Sequence, residues 1–426
     1  MVNLKTLCIM FEKSGAMNFH RFNRDWKNRL QSVYVFVNLT VFVVCIFAHF
    51  FSTVTRSVRY LPECTQMILE DVLIFTVYLN ISNYKRCRYQ LLEQLLEMTN
   101  AFSHANRKII QKCENQAKLL LVHLVAVVFC AVFESVFETI TPITAEDLKI
   151  RRSVYRTAHP ERRHPFNMRI PFLDESKSWT YQWIYFVQCY LGLLIVIWVS
   201  SVISFIPLLA IHMRGQYEIL AHYIEKIGRE HRDPFGNRIM YVDIENNEYV
   251  TLPGNGKGRA RMKPRGNLEC EYQKRYLGQI INFHKRLVVY QDQCVNLVSP
   301  VVLLLVIVNN IIFTLCLYQL VASPSKLSPL RYVKFIVEFV GIVVATFFLC
   351  NSSETANDCN ILLCRAITNS RWTMCSNEMR RDLCMFLRRV QQPNHLRFYD
   401  GALVLSRPLF LKVVRVAYSF VNFMKV

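Results

Sequence analysis

Residues 332–354 read YVKFIVEFVGIVVATFFLCNSSE, a run in which apolar side chains occupy nearly every position before the polar end. A helix needs about 20 such residues to cross a bilayer core of about 30 Å. Similar runs precede it at 31–52, 67–83, 119–142, 181–211 and 297–321, and a weaker one follows at 402–426. Because 52% of the 426 residues are hydrophobic, the pattern predicts an all-α membrane protein of seven spans.

Basic residues predict the orientation of these spans. The formal net charge is +20, and short loops rich in Lys and Arg stay in the cytosol. With the amino terminus inside, the tail 1–30 and the inner loops 84–118, 212–296 and 356–401 contain 34 Lys and Arg residues, against 12 in the outer loops. We therefore expect a cytosolic amino terminus and an outside carboxyl terminus. A role in nucleic-acid binding is disfavoured, because the charge lies beside the spans and no nucleic-acid module is recognisable.

The sequence contains no recognisable motif for catalysis or for a metal ion. A Gly-rich phosphate loop between strand and helix, a His-Glu-x-x-His pair and a Gly-x-Ser-x-Gly turn are all absent, and the cysteine spacing fits no zinc site. Glu134, Glu138 and Glu338 fall within or near the outer ends of spans, where a charge is often functional. For Glu134 and Glu138, a solvated position near the outer water is the alternative. We expect neither an enzyme nor a cofactor.

The region 31–355 is predicted to contain spans one to six with long helical extensions into the cytosol. Helical periodicity continues at 85–118, 217–227 and 268–295. Between the last two lies an insertion, 232–267, which is rich in Pro and Gly and is predicted to be disordered. The alternation at 239–244 also fits a small hairpin. A solvated linker is the favoured interpretation; binding of a protein or lipid headgroup by the basic run 259–265 is the alternative.

The region 356–401 is predicted to be a cytosolic helical region. Residues 357–367 extend the sixth span, and the turn at 369–372 ends it. Residues 377–390 form an amphipathic helix whose apolar side contains Met379, Leu383, Phe386, Leu387 and Val390. The proline at 393 prevents the helix from continuing.

The last predicted span, 402–426, is unusually basic. Arg407, Lys412, Arg415 and Lys425 would be costly in lipid unless they face protein or a water-filled path. The segment is therefore interpreted either as a helix whose first half lies in cytosolic protein or as a helix that lines a pore. The two interpretations are compatible.

The carboxyl-terminal part of the chain resembles the insect odorant receptor family. The resemblance rests on Asn369-Ser370-Arg371-Trp372, RRDLCMFL at 380–387, Gln391-Gln392-Pro393 and LKVVRVAYSF at 411–420. It implies a subunit of a tetrameric, ligand-gated, non-selective cation channel in the plasma membrane of sensory dendrites. In that family, cytosolic helix extensions form a central anchor and one terminal helix per subunit lines the pore.

By this resemblance, the anchor residues would be Trp372, Leu383, Phe386, Leu387 and Pro393, and the pore or gate residues Tyr418, Val421, Asn422, Met424 and Lys425. Four copies of Lys425 would repel cations, so a mixed assembly with the family's shared co-receptor is favoured. This chain would then be the ligand-binding tuning subunit. The long insertion 232–267 resembles the co-receptor instead, but the co-receptor's terminal helix is more uniformly apolar.

The resemblance also implies a ligand site in the outer half of the bundle, between the second, third, fourth and sixth spans. Its residues would be Ile74, Phe75, Tyr78, Phe129, Phe133, Phe137, Tyr185, Cys189, Tyr332, Phe335, Ile336 and Phe339. Phe129, Phe133 and Phe137 share one helix face, although simple helix packing also explains such a stripe. The expected partners are a small volatile, co-receptor subunits, membrane lipid and permeating cations.

Two other receptor classes are alternatives. A gustatory receptor channel usually has Thr-Tyr and then Gln-Phe in its terminal helix, where this chain has Ala417-Tyr418-Ser419 and no Gln. A G-protein-coupled receptor would have an outside amino terminus, an Asp-Arg-Tyr after the third span and an Asn-Pro-x-x-Tyr in the last. Both motifs are absent from the sequence.

Overall fold

The computed structural model describes residues 9–10, 12–16, 25–55, 61–83, 90–91, 93–95, 97–98, 101, 107–155, 159–166, 168, 170, 173, 177–233, 235–252, 265–322 and 329–424. In this part of the chain the main helices are α1 (Asp25–Thr55), α2 (Leu61–Asn83), α3 (Arg107–Ile140), α4 (Ser178–Glu225), α5 (Arg265–Ala322), α6 (Pro329–Asn369), α7 (Asn377–Val390) and α8 (Arg407–Met424). A short helix, Ala145–Ile150, continues into a π-helical turn, Arg151–Tyr155.

Six helical segments are long and apolar enough to cross a membrane: Trp26–Thr55, Cys64–Ile81, Arg107–Ile140, Ser178–Glu225, Val302–Val321 and Tyr332–Asn369. They confirm the first six predicted spans. Helices α3, α5 and α6 have 34, 58 and 41 residues, more than a span needs; that these extensions lie in the cytosol stays a prediction. With 48 residues, α4 is about 70 Å long, more than twice the thickness of a bilayer core.

The ends of α4, α5 and α6 pack with α7 into a region that we call the anchor end; the opposite end, with residues 141–155 and 159–166, is the loop end. α7 begins and ends where the sequence predicted. Its Ser376 cap accepts a hydrogen bond from the Met379 backbone N–H at 3.3 Å, and its apolar side is buried at Met379, Leu383, Phe386 and Val390. A backbone bond from Arg371 N to Ile227 O, 3.1 Å, joins this region to α4.

Gly228 makes that junction possible. Its φ of +72° lies in the left-handed region, which suits glycine. A Cβ at this position would lie 2.1 Å from the Arg371 carbonyl oxygen. Any other residue would therefore push apart the end of α4 and the turn that precedes α7.

The insertion 232–267 corrects one sequence prediction. Instead of disorder, residues 238–252 form an antiparallel hairpin of β1 (Arg238–Asp243) and β2 (Glu248–Leu252). The hairpin is held against α5, where Gln279 donates to Val242 O at 2.7 Å and accepts from Ile244 N at 2.9 Å. The high content of Pro and Gly in the sequence did not reveal this contact, because it shows only where a helix cannot continue. Residues 253–264, with most of the basic run, lie outside the described residues.

The last helix, α8, follows a two-residue pairing of β3 (Arg397–Phe398) with β4 (Leu403–Val404). It packs on α5 and α6 through Val413, Ala417 and Val421, which are buried at intervals of four residues. At its start, the Arg407 guanidinium donates to Asn351 Oδ1 at 3.2 and 3.0 Å. Its other faces, with Leu411, Tyr418 and Phe423, are exposed in the single chain.

Candidate ligand-binding site

A cavity of about 140 Å³ lies between five helices in the half of the bundle nearer the loop end. Helix α2 contributes Leu69, Glu70, Leu73 and Ile74; α3 contributes Val127, Val128, Ala131, Val132 and Ser135; α4 contributes Ile195, Val199 and Ile203; α5 contributes Asn309 and Ile312; and α6 contributes Glu338, Gly341, Ile342 and Ala345. Phe166, from the segment before α4, completes the wall. Its backbone N–H donates to Gln188 Oε1 at 2.9 Å, which fixes this segment against the bundle.

Small residues shape the cavity where the helices approach most closely. A Cβ on Gly341 would lie 3.1 Å from Val127 Cγ1, so glycine allows α6 to approach α3. Ala131 and Ala345 add little volume to the wall. The resulting space is similar to an engineered apolar cavity of about 150 Å³ that holds benzene.

Four polar side chains line this otherwise apolar wall: Glu70, Ser135, Asn309 and Glu338. Asn309 donates to Thr346 Oγ1 at 3.3 Å. Polar groups of this kind fix the orientation of a ligand, whereas the apolar wall supplies contact area.

Glu70 belongs to a buried charge network that joins α1, α2 and α6. Lys334 Nζ lies 3.1 Å from Glu70 Oε1. His49 Nε2 lies 3.1 Å from Glu70 Oε2, and His49 Nδ1 lies 2.6 Å from Asp71 Oδ1. Since carboxylate oxygens only accept, both ring nitrogens must donate, and the geometry fits a protonated ring. One ammonium and one imidazolium thus face two carboxylates.

The sequence-predicted ligand residues are mostly not in this wall. Only Ile74 lines the cavity. Phe335 is buried, Phe339 packs on Phe313 with ring centroids 4.9 Å apart, Tyr185 bonds Thr139 at 2.9 Å, and Tyr78 and Cys189 are half-buried. The remaining six, Phe75, Phe129, Phe133, Phe137, Tyr332 and Ile336, are exposed on the outside of the single chain.

The reason is visible on α3. Ala131 lines the cavity, and Phe133 lies two positions further, which is about 200° around a helix axis. Phe133 and its stripe partners are therefore on the opposite side, where Phe129 and Phe133 stack at 5.4 Å. Lipid is as apolar as a binding pocket, so an aromatic stripe in a span does not reveal which face binds a ligand.

Several cavity residues were not chosen from the sequence. Glu338 was noted as an intramembrane charge, but Glu70, Ser135, Asn309 and the small residues Gly341 and Ala345 were missed. The cavity residues could have been recognised as polar side chains inside an apolar run. On α6, Glu338, Gly341 and Ala345 also follow one another at three- and four-residue intervals, which places them on one helix face.

The predicted anchor and pore residues are placed as follows. Leu383 and Phe386 are buried, Leu387 is half-buried, and Trp372 and Pro393 are exposed. On α8, Tyr418 and Asn422 are exposed, whereas Val421 is 3% exposed and packs within its own chain. Met424 ends α8, and Lys425 lies outside the described residues.

The fold and the cavity together define a multi-span helical membrane protein with an apolar cavity between its spans. The model of the family described as 7tm Odorant receptor matches residues 53–418. Because this match covers most of the chain, the protein belongs to the odorant receptor family, which is not an enzyme family. No match was found among curated proteins.

Two solved structures share the fold. The insect olfactory receptor OR5 from Machilis hrabei has a TM-score of 0.71 and 13% identity, over 99% of this chain and 96% of that one. The same receptor in complex with eugenol has a TM-score of 0.70 and 14% identity, with coverage of 99% and 96%. The family that the chain belongs to is described as having seven spans, and the six apolar spans leave α8 as the candidate for the seventh.

Proposed function

We propose that this protein is the odorant-binding subunit of a tetrameric, non-selective cation channel in the plasma membrane, assembled with co-receptor subunits. The proposal rests mainly on the apolar cavity of about 140 Å³ in a chain of the odorant receptor family. That volume suits a volatile with one small ring and a short polar arm. The eugenol bound to OR5 is a molecule of this general kind.

The anchor end is assigned to the cytosol, together with the amino terminus, because the inner loops contain most of the basic residues. Apolar side chains are exposed there outside any span: Trp372, Met374 and Met385. Exposed apolar surface in water is a mark of a protein interface. Contact with neighbouring subunits at this end would cover it.

The pore is assigned to the exposed faces of α8. Tyr418 and Asn422 lie one turn apart and are both exposed, so they are better candidates for the pore surface than Val421. The basic residues Lys412 and Arg415 are exposed on the same helix. A mixed assembly reduces the repulsion of cations by these charges, which supports pairing with co-receptor subunits.

Helix α6 is the connection between cavity and pore. Ala345 lines the cavity, and two residues further the ring of Phe347 contacts that of Phe410 on α8 at 5.7 Å. Asn351 and Glu354 on the same helix bond Arg407 at the start of α8. A ligand that shifts α6 would therefore shift α8.

Co-expression with a co-receptor in cells that lack other odorant receptors tests the proposal. Currents are recorded during exposure to a panel of small aromatic volatiles. The expected result is a volatile-evoked cation current from the pair that neither chain gives alone at the same concentrations. A co-receptor agonist, applied to every combination, reports whether channels have reached the surface.

Two results would contradict the proposal. A robust current from this chain alone would exclude the need for a mixed assembly. If the agonist opens channels that contain labelled copies of this chain, but no volatile evokes a current from them, the odorant-binding role would be wrong.

A further inference from the structure

One cavity carboxyl group makes no hydrogen bond or close ion pair with the charge network in the described part of the chain. Glu338 lines the cavity, and its Oε2 is buried without a hydrogen-bond partner among the described residues. A buried carboxylate oxygen that lacks a donor is energetically costly. Glu338 is therefore a group that a ligand with a hydrogen-bond donor would satisfy.

Carboxyl groups outnumber cationic groups around Glu338. Lys334 and protonated His49 face Glu70 and Asp71, so the four charges of the network balance. Glu134, next to cavity residue Ser135, has both carboxylate oxygens buried without hydrogen-bond partners in the described part of the chain. Glu134 and Glu338 interact electrostatically with each other and with Lys334. The side of the cavity near Glu338 thus favours a cation.

We propose that the ligand of this receptor is a small apolar amine, whose ammonium binds Glu338 while its hydrocarbon part fills the apolar wall. This inference rests on the proposed odorant-binding function and names its ligand class. An ammonium supplies three donors and a positive charge, and a charge-assisted hydrogen bond in a low-dielectric site is about twice as strong as a neutral one.

Lys334 does not occupy the position of the ligand. It lies one turn before Glu338 on α6, but its Nζ is 3.1 Å from Glu70 Oε1, and no ion pair within 4.0 Å joins it to Glu338 among the described residues. Lys334 thus holds Glu70 and leaves Glu338 directed at the cavity. On α6 the wall residues that follow Glu338 are Gly341, Ile342 and Ala345, which offer contact area and no side-chain donor.

Four compounds of nearly equal size separate charge from shape: benzylamine, benzyl alcohol, benzaldehyde and ethylbenzene. Each has one ring and a short arm, and each is compatible in size with the cavity. Dose-response curves are measured on the receptor co-expressed with its co-receptor. We expect benzylamine to be more potent than benzyl alcohol by about tenfold or more, since the ammonium that bonds Glu338 is charged whereas the hydroxyl of the alcohol is neutral.

Two variants test whether Glu338 causes the preference. Glu338→Gln keeps the shape and removes the charge, so the ratio of amine to alcohol potency should fall to near one while the alcohol response stays. Glu338→Asp keeps the carboxylate and should retain the preference for the amine. The matched control is Glu161→Gln, an exposed carboxylate of the loop end, which should leave all four curves unchanged.

Each other outcome overturns the inference. If native receptor prefers benzaldehyde, Glu338 acts as a protonated donor and the amine class is wrong. If the amine preference survives in Glu338→Gln, another group binds the ammonium. If Glu338→Gln loses the alcohol response as well while Glu338→Asp shows no amine preference, the residue is structural. If the other volatiles evoke currents and the amine does not, this inference fails alone; if no volatile evokes a current, the proposed function fails with it.

Discussion

The anchor end and the cavity half of the bundle differ in the direction in which their apolar side chains point. At the anchor end Met379 and Leu383 of α7 are buried, whereas in the cavity half Phe129 and Phe133 of α3 are exposed on the outside of the bundle. At the anchor end water surrounds the helices, so apolar side chains must turn inward. In the cavity half lipid surrounds them, so apolar side chains also turn outward and the helices leave a cavity between them. The first region is therefore expected to be rigid and the second to be adjustable.

The largest effect is expected from a cavity made in the anchor end. Phe386→Ala removes a buried ring that lies 5.1 Å from the His284 ring, and such truncations cost about 3–5 kcal/mol. The variant should reach the cell surface poorly and lose thermal stability in detergent. Cys384→Ala, at a neighbouring exposed residue, is the control and should change neither measurement. Equal loss in both variants would mean that this end is not packed as a water-exposed core.

The next effect contrasts the two faces of α3. Ala131→Phe places a ring in the cavity and should lower the potency of any small activating volatile at least tenfold, about 1.4 kcal/mol. Phe133→Ala, on the outer face, should leave potency within about threefold, which is well under 1 kcal/mol. The measurement is the dose-response curve, with the co-receptor agonist as the control for assembly. The reverse order of effects would return the ligand site to the aromatic stripe.

A smaller effect is expected from pH at the anchor end. Burial, with a contribution from Arg389, lowers the pKa of His284 from 6.5 to about 4, so the folded chain holds the ring neutral. The unfolded chain binds a proton below about pH 6.5, so stability should fall as pH decreases from 6.5 and level off near 4. Melting temperatures of the purified protein between these values measure this. His284→Phe should flatten the curve; an unchanged slope would show that His284 is not responsible.

The smallest effect is expected in the hairpin. Asp243 accepts from Glu245 N at 2.7 Å and from Asn246 Nδ2 at 2.8 Å, so it holds the turn between β1 and β2. Asp243→Ala should cost about 1 kcal/mol locally and speed amide exchange over residues 238–252. Asp243→Asn retains an acceptor and should exchange nearly as slowly as the native chain. Equal exchange in all three would mean that α5, rather than the turn, holds the hairpin.

Structural features were predicted best from the sequence where a residue pattern has a single physical cause. The limits of α7 and its buried side followed from amphipathic spacing, because outside the membrane an apolar helix side is buried by protein and not by lipid. The first six spans followed from apolar length. The cavity residues did not follow, because Phe133 and Val132 are equally compatible with lipid and with a pocket, and only the packing of α3 against α6 separates them. The hairpin also depended on a distant contact, between Gln279 and Val242.

The continuous course of α6 has a mechanical consequence. With 41 residues it is a rod about 60 Å long. If such a rod tilts by about 5° around one end, its other end moves about 5 Å, close to the 5.4 Å pitch of a helical turn. A ligand that displaces the wall by a fraction of an ångström near the middle of this lever therefore produces a larger displacement further along it. Adding a flexible joint, for example two glycines between the cavity and Asn351, would stop the far part of α6 from following the cavity wall without changing either end of the helix.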